Sequence, residues 1–221
     1  MAPYAQLAAA TFVFLALHFL SSTPLRTALV ARLGERPYRG LYSLVALASF
    51  VWICVTYAAA PHELLWPGLR HLPIAVMPFA FLLLACGAGP SPTAVGGERL
   101  LKSDRPARGI VRVTRHPIMW AIMLWSAAHL LARGDVKAVI FFGGLFVLAA
   151  AGTLLMDRRK SGNPDWARFA ALTSHVPFLA IAQGRNRLVW REIGWTRPLA
   201  GLAAFAVFLA IHPWLFGVRP Y

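Results

Sequence analysis

Seven histidines are the residues of this chain best suited to chemistry: His18, His62, His71, His116, His129, His175 and His212. Two of them, His18 and His129, fall inside long apolar runs. An ionisable side chain at membrane depth is costly, so it ordinarily faces the interior of a helical bundle and has a partner there. Thr11, His18, Ser21 and Ser22 stand at offsets that share one side of a helix. A similar stripe, Tyr42, Ser49, Trp52 and Thr56, occupies the next apolar run. Trp125 and Ser126 precede His129 by four and three residues. Such stripes also arise from plain hydrogen bonding between helices. No intramembrane carboxylate is at hand for either histidine, and neutral imidazole is a good iron ligand. The chemical reading is a shared metal or haem; the plain one is a neutral histidine bonded to a backbone carbonyl. His62 and His71 are expected to be solvated in a short loop, His175 to lie on an interfacial segment, and His212 near the end of the last run.

Other chemistry is missing from the motifs. The chain has no GxGxxG, P-loop, GxSxG or HExxH pattern. Cys54 and Cys86 both lie in apolar runs and read as small core residues.

The elements that must carry the histidines are read from hydropathy. Of 221 residues 58% are hydrophobic and only 14% charged, which excludes a disordered chain. Six apolar runs approach the roughly 20 residues a membrane span needs: about 4–22, 41–60, 72–88, 117–132, 136–156 and 197–217. The expected fold is an all-α, polytopic transmembrane helical bundle, forming a single domain over 1–221. The first run lacks the basic start and the small-residue cleavage site of a signal peptide. The formal net charge of +14 is distributed unevenly. Eighteen of the 22 basic residues fall in the loops after the first, third and fifth runs. Six spans with that bias put those loops in the cytoplasm and both termini outside. The charge is thus a topology signal and an attraction to the lipid bilayer, with no nucleic acid implied. Within 161–196, Trp166, Phe169, Thr173 and Val176 recur at helical spacing, as in an interfacial amphipathic helix.

The run RGIVRVTRHPIMWAIMLWSAAHLLARGD, residues 108–135, resembles the NnrU family of bacterial membrane proteins. So do His18 followed by Ser21-Ser22 and Leu25-Arg26, the run from Arg39 to Ser43, and Asp157-Arg158-Arg159. The resemblance extends over about 1–190. It implies a multi-pass protein of the bacterial inner membrane, associated with denitrification and nitric oxide metabolism, with nitrogen-oxide reductase components as partners. The family is similar to 15-cis-zeta-carotene isomerase, which holds haem b through histidines and acts on an apolar polyene. The resemblance puts those ligands at His18 and His129. Where the relative has a cysteine three residues before the second histidine, this chain has Ser126, and a hydroxyl does not replace a thiolate as a soft ligand. Depth along the spans favours another pairing. His18 and His129 would differ by roughly 10 Å at 1.5 Å per residue, which makes His116 the rival to His129. Arg158 and Arg159 are candidates for a haem propionate.

Two alternatives come from other classes. One is a non-catalytic membrane factor supporting a nitrite or nitric oxide reductase. The other is a methyltransferase dependent on S-adenosylmethionine (SAM), because Arg115-His116-Pro117 also resembles a motif of isoprenylcysteine carboxyl methyltransferases. Those enzymes carry an acidic pair after the next helix. Here Asp157-Arg158-Arg159-Lys160 stands there, repulsive to a cationic cofactor.

Overall fold

A computed structural model describes residues 3–20, 23–94 and 97–220. Ser21 and Ser22 of the first polar stripe lie outside the described residues. Among those residues the chain is all-helical, and the only strand-like pairing is an isolated bridge between Leu64 and Asp135.

The six expected runs become α1 (Pro3–Leu20), α3 (Glu35–Ala59), α4 (Leu72–Gly87), α5 (Pro117–Arg133), α6 (Val136–Lys160) and α10 (Thr196–Phe216), with α2 (Pro24–Leu33) inserted after α1. Four of the six, α1, α3, α6 and α10, are long and apolar enough to cross a membrane. α4 has 16 residues and α5 has 17, about 24–26 Å of helix against a hydrocarbon core of about 30 Å.

α2 is a departure from the sequence reading, which left 23–40 as a loop. Its physical basis is local: Pro24 suits the first helical position, and Leu, Arg and Ala are good helix formers. Gly34 ends it at φ +83°. α3 then starts six residues before the apolar run does. Glu35 sits in its first turn, where the helix dipole favours a carboxylate. Arg26 and Arg39 both reach that carboxylate, at 3.0 and 2.8 Å.

α5 and α6 form an antiparallel hairpin closed by Gly134 and Asp135. Gly134 adopts the left-handed region at φ +63°, and a Cβ there would overlap the Trp66 carbonyl. Asp135 caps α6 by accepting from the Ala138 amide at 2.7 Å. Its carboxylate is fully buried and also meets Arg133 and His62, each at 3.0 Å. His62, expected to be solvated, is therefore half-anchored to the hairpin. The loop before α4 is stitched to the same corner. The Leu65 amide donates to the Gly134 carbonyl at 2.7 Å, Leu69 to Leu131 at 2.9 Å, and Val136 to Glu63 at 3.0 Å.

The main core lies between α1, α3 and α6, built on Leu7, Phe14, Ile53, Phe141, Phe142 and Leu145, with Trp125 of α5 packed against it. α4 packs on α5, and α10 leans on α4 through Gly201 beside Ala85, a small-residue contact of the kind that lets membrane helices approach. Outward faces are apolar: Phe12, Leu44, Leu47, Val55, Phe208 and Trp214 are all exposed. In water such a surface would be prohibitive; against lipid it is expected.

A second, smaller core sits at the other end. α7 (Pro164–Leu172) is capped by Asn163, whose side chain accepts from the Asp165 amide at 2.8 Å. It buries Trp166 and Phe169 against Leu101, Ala107 and Val111 of the loop before α5. The amphipathic periodicity was legible, but its apolar side covers protein. Thr173 is buried just beyond the helix, and Val176 is exposed. Short helices α8 (Leu179–Ala182) and α9 (Trp190–Ile193) lead into α10.

Candidate functional site

His129 stands on the last turns of α5. Its Nδ1 lies 2.8 Å from the Trp125 carbonyl, four residues back. A carbonyl only accepts, so Nδ1 carries the proton and Nε2 presents a lone pair. Among the described residues no group bonds to Nε2. The ring lies nearly parallel to Phe142, with centroids 5.3 Å apart, and Trp125 packs at 5.6 Å. A neutral histidine in that tautomer, backed by a carbonyl and walled by aromatics, has the donor chemistry of a haem ligand. Ser126, three residues earlier, is buried with its hydroxyl donating to the Ile122 carbonyl at 2.7 Å. It serves its own helix.

His18 repeats the backbone arrangement, with Nδ1 2.8 Å from the Phe14 carbonyl. Its ring is 4.2 Å from that of Phe14 and 6.0 Å from that of Tyr42 on α3. Both histidines border the main core, yet at different levels. α1 and α6 run parallel, because the Tyr4 hydroxyl and the Val136 amide both donate to the one loop, at the Pro61 and Glu63 carbonyls. Thr11 of α1 abuts Gly144 of α6. His18, seven residues on, is then level with about residue 151, while His129 stacks on Phe142. The offset is about 13 Å at 1.5 Å per residue, more than one iron spans. His129 fits as a single ligand; the pair does not fit one metal in this arrangement.

His116 lies closer to the level of His18, but its Nε2 is engaged. It lies 2.8 Å from Oδ1 of Asp157, and the ring is almost wholly buried. Arg115 approaches the other carboxylate oxygen at 3.6 Å. His175 joins the group, its ring 6.0 Å from that of His116. Its carbonyl accepts from Thr114 Oγ1 and Trp120 Nε1, both at 2.8 Å. Burial holds the His175 imidazole below its ordinary pKa, the positive charge available to His116 and that of Arg115 push the same way, and Asp157 opposes them. Chemically the cluster holds one negative carboxylate among basic groups and pins the start of α5 to the end of α6. Its members are 41 and 59 residues apart in the chain, so no local spacing announces them. The fully buried Asp135 was also missed; its signal was a Gly-Asp step between two apolar runs, the signature of a helix start.

Arg158 and Arg159 occupy the exposed last turn of α6. That is sixteen residues, about 24 Å of helix, beyond Phe142. They are remote from anything held at His129. Among the described residues no group of three or more His, Cys, Asp or Glu forms a metal site.

Comparison with known proteins adds the lineage. A 15-cis-zeta-carotene isomerase of maize is 31% identical over 173 residues, which is 70% of this chain and 44% of that protein. Its counterpart in Arabidopsis thaliana is 28% identical over 173 residues, 71% of this chain and 45% of that protein. The chain thus spans less than half the length of the curated relatives it matches. No solved structure matches it. The model of the NnrU protein family matches residues 6–220, nearly the whole helical bundle, and the chain belongs to that family.

Proposed function

We propose that this chain is an isomerase-like membrane protein that holds haem b through Nε2 of His129 and acts on an apolar, unsaturated substrate drawn from the bilayer. The observation that carries the reading is the fixed tautomer of His129, with its lone pair presented beside Trp125 and Phe142. The similarity to 15-cis-zeta-carotene isomerases supports the class of reaction. The apolar outward faces of α3 and α10 support a substrate that travels in lipid. Haem, where bound, would be held by His129 and would supply the iron chemistry of the isomerisation. The chain's own contribution is to orient the imidazole through the Trp125 carbonyl and to exclude water with aromatic walls. An association with denitrification and nitric oxide metabolism belongs to the same reading. The same reading has the protein in the bacterial inner membrane, with the basic loops cytoplasmic and both described ends of the bundle external, and the skew of the basic residues supports it.

The test is the absorbance spectrum of the full chain purified with haem supplied. A Soret band with a high-spin profile, lost in His129→Ala and kept in His18→Ala, is expected. A low-spin spectrum lost in both variants would show that the two histidines share an iron and that the helices slide to bring them together. A preparation that stays colourless after haem supplementation overturns the reading in favour of a non-catalytic membrane factor.

A further inference from the structure

At the end of the bundle where α4 stops and α10 starts, residues 89–92, 103–111 and α9 border a cleft of about 620 Å³. Three arginines line it, Arg105, Arg108 and Arg197, with two acids, Asp104 and Glu192. Glu192 is already satisfied. Arg112 donates to it through Nε at 2.7 Å and Nη2 at 3.0 Å, and the Gly109 amide donates at 2.9 Å. Those bonds hold its carboxyl below the usual glutamate range. The remaining balance is three guanidinium groups against Asp104 alone, and among the described residues none of the four forms an ion pair. Arg197 lies against bare backbone. Its guanidinium rests on Gly89, where a Cβ would overlap Nη1 and displace it. Arg197, Arg105 and Arg108 are all exposed, so the charge faces the mouth of the cleft.

Uncompensated arginines in a cleft of ligand size are an arrangement for an oxyanion, since the guanidinium fork matches phosphate oxygens two at a time. The position adds a second constraint. Arg197 is the second residue of a 21-residue apolar helix, and Cys86, which also lines the cleft, is next to last in the apolar α4. The cleft therefore opens at the membrane surface, where anionic headgroups concentrate. We infer that this cleft binds a phosphate-bearing ligand of about two negative charges, presented at the basic end of the bundle. The headgroup of an anionic lipid and a free phosphate share the chemistry, and the site is independent of whatever His129 holds.

Calorimetry on the full chain in a neutral maltoside detergent, with dihexanoyl phosphatidic acid and inorganic phosphate as separate probes, tests this. Saturable binding of at least one probe is expected, weakened about tenfold or more for each arginine removed in Arg108→Gln and Arg197→Gln. Much tighter binding of the phosphatidic acid identifies a lipid headgroup; equal binding identifies the free anion. Gly89→Val keeps every charge but denies Arg197 its platform, and should weaken binding similarly, with the unliganded melting temperature recorded for each variant. The control is Arg32→Gln with Arg36→Gln, which removes two exposed charges elsewhere. No saturable binding of either probe, unchanged affinity in the arginine variants, or an equal loss in the control overturns the proposal.

Discussion

Residue types and residue partners carry different information in this chain. His18 and His129 were legible as unusual because an imidazole in an apolar run demands a reason, and both turn out to bond a carbonyl of their own helix. His116 was legible only as part of a motif. Its partner Asp157 lies 41 residues away, and long-range pairing of this kind leaves no periodicity to read. The pair makes a clear expectation. Asp157→Ala leaves Arg115 and the buried His116 without their carboxylate, and should lower stability by about 1–3 kcal/mol. His175→Phe should cost less than that, since the bonds from Thr114 and Trp120 go to its backbone carbonyl. Thermal unfolding of the detergent-solubilised chain reads both, and an unchanged melting temperature in Asp157→Ala would mean that the carboxylate stabilises nothing. A second expectation concerns acid. Glu192 has its pKa depressed, first by the Arg112 hydrogen bond, so the unfolded chain takes up its proton before the folded one does. Its contribution is complete above about pH 4.3 and is lost as pH falls from there through the depressed folded value. Glu192→Gln should flatten that part of the stability profile measured between pH 6 and pH 3. An unchanged acid limb would count against the Arg112–Glu192 pair as its source.

Elements were easier to read than sites, for a physical reason. An apolar run must be helical in lipid because each backbone amide needs an internal partner, so α1, α3, α4, α5, α6 and α10 follow from composition. α2 did not, because its ten residues have no apolar run, and only Pro24 and ordinary propensity mark it. α7 was visible through Trp166 and Phe169, but a periodic face says only that something covers it; the covering residues Leu101 and Val111 lie far off in the chain. The α5–α6 hairpin is the element most dependent on one side chain. Asp135 is fully buried, caps α6 and meets Arg133 and His62. Asp135→Ala removes the cap and leaves two basic groups without their acid. A loss of about 2–4 kcal/mol is expected, against under about 1 kcal/mol for removing the half-exposed partner in His62→Ala. An Asp135→Ala melting temperature within a degree or two of the parent chain would show the cap to be dispensable.

At the scale of the molecule, charge and shape agree on two unlike ends. One end gathers Tyr4, Tyr57, Trp66 and the α5–α6 turn. The other gathers the loop 88–112, α7, α9 and most of the arginines. The helix count compatible with the basic loops is six, although α4 and α5 are short for a full crossing. A topology reporter placed after Pro220 should therefore read external, and one placed near Ser103 cytoplasmic. Readings on the same side would show that α5 fails to cross, and the two readings exchanged would show that α4 alone fails.

The loop before α4 is fastened to the α5–α6 turn by main-chain bonds from Leu65, Leu69 and Val136. These are amide protons in main-chain bonds at the hairpin corner, although the segment 61–70 is mostly exposed and has no helix of its own. In deuterium exchange they should behave as part of a helix rather than as a connector, opening only when the hairpin opens. Among the described residues no main-chain bond ties the amides of 104–108 at the far end, and these should label orders of magnitude faster. The bundle would then be stiff at one mouth and supple at the other, and any slow concerted breathing would pivot about the stiff one.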